Sequence, residues 1–114
     1  MAEKFRTVEA YRNHFADFLA GLKQPVKDKI YWTIRLIETI PRVSEKYLKK
    51  LAWTEDLFEM RIEFGGDIFR IFCFFDDNKL IILLNGFAKK TQKTPRREVE
   101  RALRLREQYY EEKS

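Results

Sequence analysis

The chain has 114 residues, with 23 lysines and arginines against 18 acids and a net charge of +5, so it is long enough for one buried core and too short for two. Ten phenylalanines head an apolar complement sufficient to offset chain entropy without disulfide staples. Cys73 is the only cysteine, no leader-like segment opens the sequence, and no apolar run approaches the ~20 residues of a spanning helix, which together point to a soluble domain in the cytoplasm.

Residues 4–8 alternate, Phe5 and Thr7 against Arg6 and Val8, as a brief edge strand or a lead-in would. Tyr11, Phe15, Phe18 and Leu22, widened by Leu19, recur at helical spacing; this predicts a helix over about residues 9–20, stopped by Gly21 in a left-handed conformation. Pro25 suits the first turn of a second helix, in which Val26, Ile30, Ile34 and Ile37 keep the period until Pro41 ends it. The short link predicts a helical hairpin.

The lysine-flanked "KYLKKLAW" leads into a region where the period changes to two. In "LFEMRIEF", Phe58, Met60, Ile62 and Phe64 alternate with Glu59, Arg61 and Glu63, a strand with one apolar and one charged face. Gly65, Gly66 and Asp67 turn the chain into "IFRIFCFF", with Phe69, Ile71, Cys73 and Phe75 on one side and Arg70, Phe72 and Phe74 on the other. Asp76, Asp77 and Asn78 make the next turn, and "KLIILLNGF" is a third strand, apolar on both faces. Thr94 and Pro95 read as N-cap and first residue of a last helix reaching about Tyr110, docked through Val99, Ala102, Leu103 and Tyr110. The expected fold is α+β: a helical hairpin on a three- to four-stranded antiparallel meander, a basic C-terminal helix, and all helices on one face of the sheet.

The charge is concentrated. Between Phe87 and Arg106 stand Lys89, Lys90, Lys93, Arg96, Arg97, Arg101, Arg104 and Arg106 against only Glu98 and Glu100, more positive charge than the whole chain carries. Such a single-sign field is the footprint expected of a polyanion-binding surface, a solvated basic helix being the alternative. For Arg70 two arrangements compete: facing an open surface beside Phe72 and Phe74, where guanidinium and rings suit phosphate and bases, or paired with Glu59 or Glu63 over a core made by those rings.

Familiar catalytic groupings are missing from the sequence. His14 is the only histidine and has no metal-spaced partners, and Gly65, Gly66 and Gly86 do not form a phosphate-cradling loop; neither metal nor cofactor is expected. Cations with one or two carboxylates are sufficient for one reaction in particular, cleavage of RNA by its own 2′-hydroxyl. There the protein need only align the linkage, stabilise negative charge and move protons, with a carboxylate or a lysine of lowered pKa as base.

Four motifs occur in order: a Leu-aromatic-Glu-x-Arg-Ile strand at residues 57–62, an aromatic-Arg-Ile strand at 69–71, Leu83-Leu84, and Phe-x-Lys-Lys-Thr-x-Lys-Thr-Pro at 87–95. In these the chain resembles the HigB-like branch of the RelE/ParE toxin superfamily, over roughly its C-terminal two thirds. The resemblance implies a RelE-like fold and the toxin half of a type II toxin-antitoxin pair. Such a toxin is an endoribonuclease that cuts messenger RNA in the A site of the 70S ribosome, held inactive by an antitoxin of helix-turn-helix type. It further implies that Arg61 and Arg70 stabilise the scissile phosphate, that Lys90 acts with them, and that Lys89 and Lys93 hold RNA; from the cationic stretch Arg96 and Arg97 join them as expected RNA-binding residues. Glu59 then matches the strand acid and is the candidate for proton transfer. A gyrase poison of the ParE kind and a non-catalytic binding domain are the alternatives on the same fold.

Overall fold

The computed structural model describes residues 4–89 and 93–113; Lys90 lies outside the described residues. The order is β1 (Thr7–Ala10), α1 (His14–Ala20), α2 (Gln24–Thr39), β2 (Leu48–Lys50), β3 (Phe58–Phe64), β4 (Asp67–Asp77), β5 (Leu80–Lys89) and α3 (Arg96–Lys113). The five strands form one sheet in the order β1-β5-β4-β3-β2. The expected meander β3-β4-β5 is its centre; β2 extends it antiparallel, and β1 closes the other edge in parallel with β5. The α+β class, the helical pair and the basic last helix are as the sequence predicts. No helix among the described residues is long and apolar enough to cross a membrane.

Several boundaries differ for identifiable reasons. The first helix begins at His14 rather than near residue 9, because Thr7–Ala10 pair with Leu80, Ile81, Ile82 and Leu83 and the Tyr11 N–H continues onto the Leu83 carbonyl. The edge strand is fixed from α2 as well: the Glu38 carboxylate accepts the Val8 N–H, and Arg6 donates to the carbonyls of Ile37, Ile40 and Pro41 at the helix end. Gly21 is not left-handed; at φ −89° it ends a tightened last turn. The β3-β4 turn has two residues, not three. Gly65 and Gly66 both have positive φ, as a two-residue hairpin of the type I′ class requires, and Asp67 already belongs to β4.

The larger correction concerns layers. The helices do not share a face. Phe15, Leu19, Val26, Ile30 and Ile37 of α1 and α2 pack on Met60, Ile62, Phe69, Ile71, Cys73, Ile81 and Leu83. Val99, Ala102 and Leu105 of α3 pack on Phe72, Phe74, Ile82, Leu84 and Phe87 on the opposite side. A sheet covered on both faces explains why β4 and β5 are apolar at nearly every position. Cys73 is fully inside, its thiol pushed up to about 12 by burial, and serves as a small hydrophobe.

Two features of β5 set up the site. Ile71 pairs with Gly86 but Cys73 pairs with Leu83, so Leu84 and Asn85 together oppose Phe72 in a β-bulge. Because side chains alternate with period two, this extra residue reverses which face the rest of β5 presents. Phe87 and Lys89 therefore stand opposite Arg70 and Ile68, on the α3 side of the sheet. On the other side, a Cβ at Gly86 would lie 2.5 Å from the Phe18 ring; the residue is glycine because that ring packs on the strand backbone.

Candidate nucleic-acid interface

The cationic residues of three strands meet where α3 begins. Arg61 of β3 is registered directly against Arg70 of β4, and Arg70 against Phe87 of β5. Two guanidiniums placed opposite one another repel, and this sheet resolves the repulsion with carboxylates. Glu59 sits with Oε1 3.3 Å from Arg70 Nε and 3.7 Å from Arg61 Nε, and Glu63 lies 4.0 Å from the far side of Arg70. Arg70 also donates to the Phe69 carbonyl at 3.1 Å.

Thr94, on the segment entering α3, completes the arrangement. Its hydroxyl donates to Glu59 Oε2 at 2.7 Å and accepts from Lys89 Nζ at 3.2 Å. At the start of α3 the Pro95 carbonyl accepts the Glu98 and Val99 N–H groups, and Asn85, re-aimed by the bulge, donates to the carbonyl and carboxylate of Glu98. Lys89 also lies over the Phe87 ring, 5.8 Å from its centroid, and Phe87 packs against Phe72 with centroids 5.3 Å apart.

The electrostatics follow from this geometry. Burial holds the Lys89 ammonium below the ordinary lysine value, with Arg70 and Arg61 acting in the same direction and Glu59 against them. Burial likewise lowers Arg70, helped by Arg61 and opposed by Glu59 and Glu63, although a guanidinium stays charged at neutral pH. Three cations against two carboxylates leave a surplus of positive charge, suited to an anion.

Accessibility separates the two arginines. The Arg70 side chain is 0% exposed and Glu59 4%, whereas Arg61 is 24% exposed. Of the two arrangements open for Arg70, the paired one over an aromatic core is realised, and its guanidinium is sealed from solvent. Arg61 faces the sheet edge left by the short β2, where a cavity of about 320 Å3 is lined by Lys29, Lys46, Tyr47, Arg61 and Glu63. Its Nε is buried and makes no hydrogen bond among the described residues, while Nη1 donates to the Glu45 carbonyl at 3.5 Å.

Lys93, Arg96 and Arg97 are exposed around the start of α3, and Arg96 pairs with Glu100 at 3.2 Å. Lys90, expected beside the arginines, is outside the described residues. Thr94 is the participant that sequence reading missed. A Thr-Pro before a helix reads as a cap, and only the β5 bulge and the course of the chain into α3 bring its hydroxyl onto Glu59. Among the described residues no group of three or more His, Cys, Asp or Glu could hold a metal ion.

Taken together, the protein is an α+β fold with a basic, aromatic-backed face, an architecture consistent with nucleic-acid binding. Residues 17–107 match the family described as "Phage derived protein Gp49-like (DUF891)", and the chain belongs to that family. No curated protein matches it in sequence.

Proposed function

We propose that the protein is the toxin of a type II toxin-antitoxin pair, a metal-independent endoribonuclease that cleaves mRNA in the ribosomal A site and is restrained by a helix-turn-helix antitoxin. The observation that carries this reading is the Lys89–Thr94–Glu59 hydrogen-bond chain ending on Arg61 and Arg70 at the open end of the α3 face. Neutral Lys89 takes the proton of the RNA 2′-hydroxyl, whose oxygen attacks the adjacent phosphorus. The bond to the 5′ oxygen breaks, leaving a 2′,3′-cyclic phosphate, and the departing oxygen acquires a proton from solvent. Arg61 neutralises the charge that develops on the phosphoryl oxygens. Glu59, saturated by its partners, is better suited to holding Thr94 and the arginines in place than to proton transfer. Lys93, Arg96 and Arg97 line the approach for the backbone.

One observation favours a second reading, a non-catalytic RNA- or partner-binding domain: the arginine central to the cluster is sealed from solvent. Induction without an antitoxin, followed by primer extension on cellular transcripts, separates the possibilities. Growth arrest with new 5′ ends inside translated codons is expected, and Arg61→Ala should weaken the cleavage by about 10²–10³-fold. Arrest with intact transcripts would favour gyrase inhibition, and no arrest would favour the binding domain.

A further inference from the structure

Trp53 has no part in the network above, yet it is the most exposed large apolar side chain among the described residues, at 58%. It stands on the loop between β2 and β3, and that loop is pinned. Leu51 and Leu57 are buried under α3, the Leu51 N–H bonds the Leu57 carbonyl at 2.9 Å, and Thr54 donates from backbone and hydroxyl to the Leu51 carbonyl. Lys50 pairs with Asp56 at 2.8 Å, and Arg106 of α3 donates to the Glu55 carbonyl. The indole is thus presented to solvent by a braced support.

A cavity of about 660 Å3 opens beside it, lined by Leu51, Trp53, Lys93, Thr94, Pro95 and Arg96. The volume is in the ~300–1,000 Å3 range of small-ligand sites. The lining combines one large ring with two cations and no carboxylate, a composition suited to a base on the indole and phosphates on Lys93 and Arg96. Thr94 lines this cavity and is also a member of the hydrogen-bond chain with Glu59 and Lys89, so the two adjoin at that residue. We infer that Trp53 is the stacking platform of a nucleotide subsite, which takes an unpaired RNA base next to the linkage held at the Arg61–Lys89 cluster. The inference rests on the reading of this face as an RNA surface and not on cleavage.

Trp32 and Trp53 are the only two tryptophans, so Trp32→Phe leaves Trp53 as sole reporter. Titrating that variant with a 2′-O-methyl oligoribonucleotide, which lacks the attacking hydroxyl, measures binding without turnover. Saturable quenching of Trp53 fluorescence is expected. In the otherwise wild-type chain, Trp53→Ala should weaken binding by roughly 5- to 150-fold, the span of base–aromatic stacking energies, with Trp53→Phe retaining most of the affinity. The dependence of log affinity on log salt should be unchanged in Trp53→Ala and shallower by about 0.7–1 in Lys93→Ala. Binding with no quenching and undiminished affinity in Trp53→Ala overturns the subsite alone and leaves the indole to a protein surface. An oligonucleotide that does not bind overturns the subsite and the RNA reading together. Binding with quenching but no cleavage of unmodified RNA supports the subsite and counts against the nuclease.

Discussion

Arg70→Ala is expected to destabilise the fold by about 3–5 kcal/mol, measured as a lowered urea midpoint at unchanged slope. The cause is not a lost surface contact. Arg70 is the buried partner of Glu59, itself 4% exposed, and its removal leaves a carboxylate inside the protein without the guanidinium that stood 3.3 Å away. A cavity the size of the guanidinium and its stem adds to the cost. The double variant Arg70→Met with Glu59→Gln should recover much of the loss, since neither charge is then stranded. A single Arg70→Ala variant within about 1 kcal/mol of wild type would contradict the buried pairing. Loss of toxicity in Arg70→Ala would accordingly reflect the fold as much as the chemistry, which makes Arg61 and Lys89 the informative positions.

Lys89→Met should lower the rate of RNA cleavage by about 10²–10⁴-fold with little change in thermal stability, the range usual for removal of a general base. Lys89 is partly exposed, and methionine keeps most of the length of its apolar stem. The pH profile adds a test of sign. Burial lowers the Lys89 pKa, so its neutral form accumulates at lower pH than for an ordinary lysine. The wild-type rate should therefore rise with pH and level off below the ordinary value near 10.4. In Lys89→Met that rise should disappear, and in Lys89→Arg it should stay absent because a guanidinium does not deprotonate. An unaltered rise in Lys89→Met would assign the base elsewhere.

Much of the fold is written in local patterns. The change from a 3.6-residue to a 2-residue period locates α2 and the β3-β4-β5 meander, and the paired glycines mark the tight turn. What the sequence conceals is non-local. The parallel pairing of Thr7–Ala10 with β5 is made across the whole hairpin of helices, and it shortens a helix that the spacing of Tyr11 and Phe15 would begin earlier. The double-sided apolar character of β4 and β5 was itself the sign of a sheet covered on both faces, yet periodicity does not say which helix lies where. The site was legible in part. Arg61, Arg70, Glu59 and Lys89 do come together, because in-register strands bring them to one face. Burial of Arg70, the Thr94 bridge and the bulge that turns Lys89 onto that face depend on how α3 and its entry segment lie on the sheet. The exposure of Trp53 is hidden for the same reason, since it depends on how the β2-β3 loop is pinned under α3.

The most direct test is the chemistry of the ends produced when purified protein is mixed with messenger RNA on translating ribosomes, with single turnovers quenched into a metal chelator and the fragments analysed by mass. The expected products are upstream fragments ending in 2′,3′-cyclic phosphate and downstream fragments beginning with a 5′-hydroxyl, both absent with Lys89→Met. Intact RNA, or fragments carrying a 5′-phosphate and a 3′-hydroxyl, would contradict attack by the RNA's own 2′-hydroxyl at this cluster.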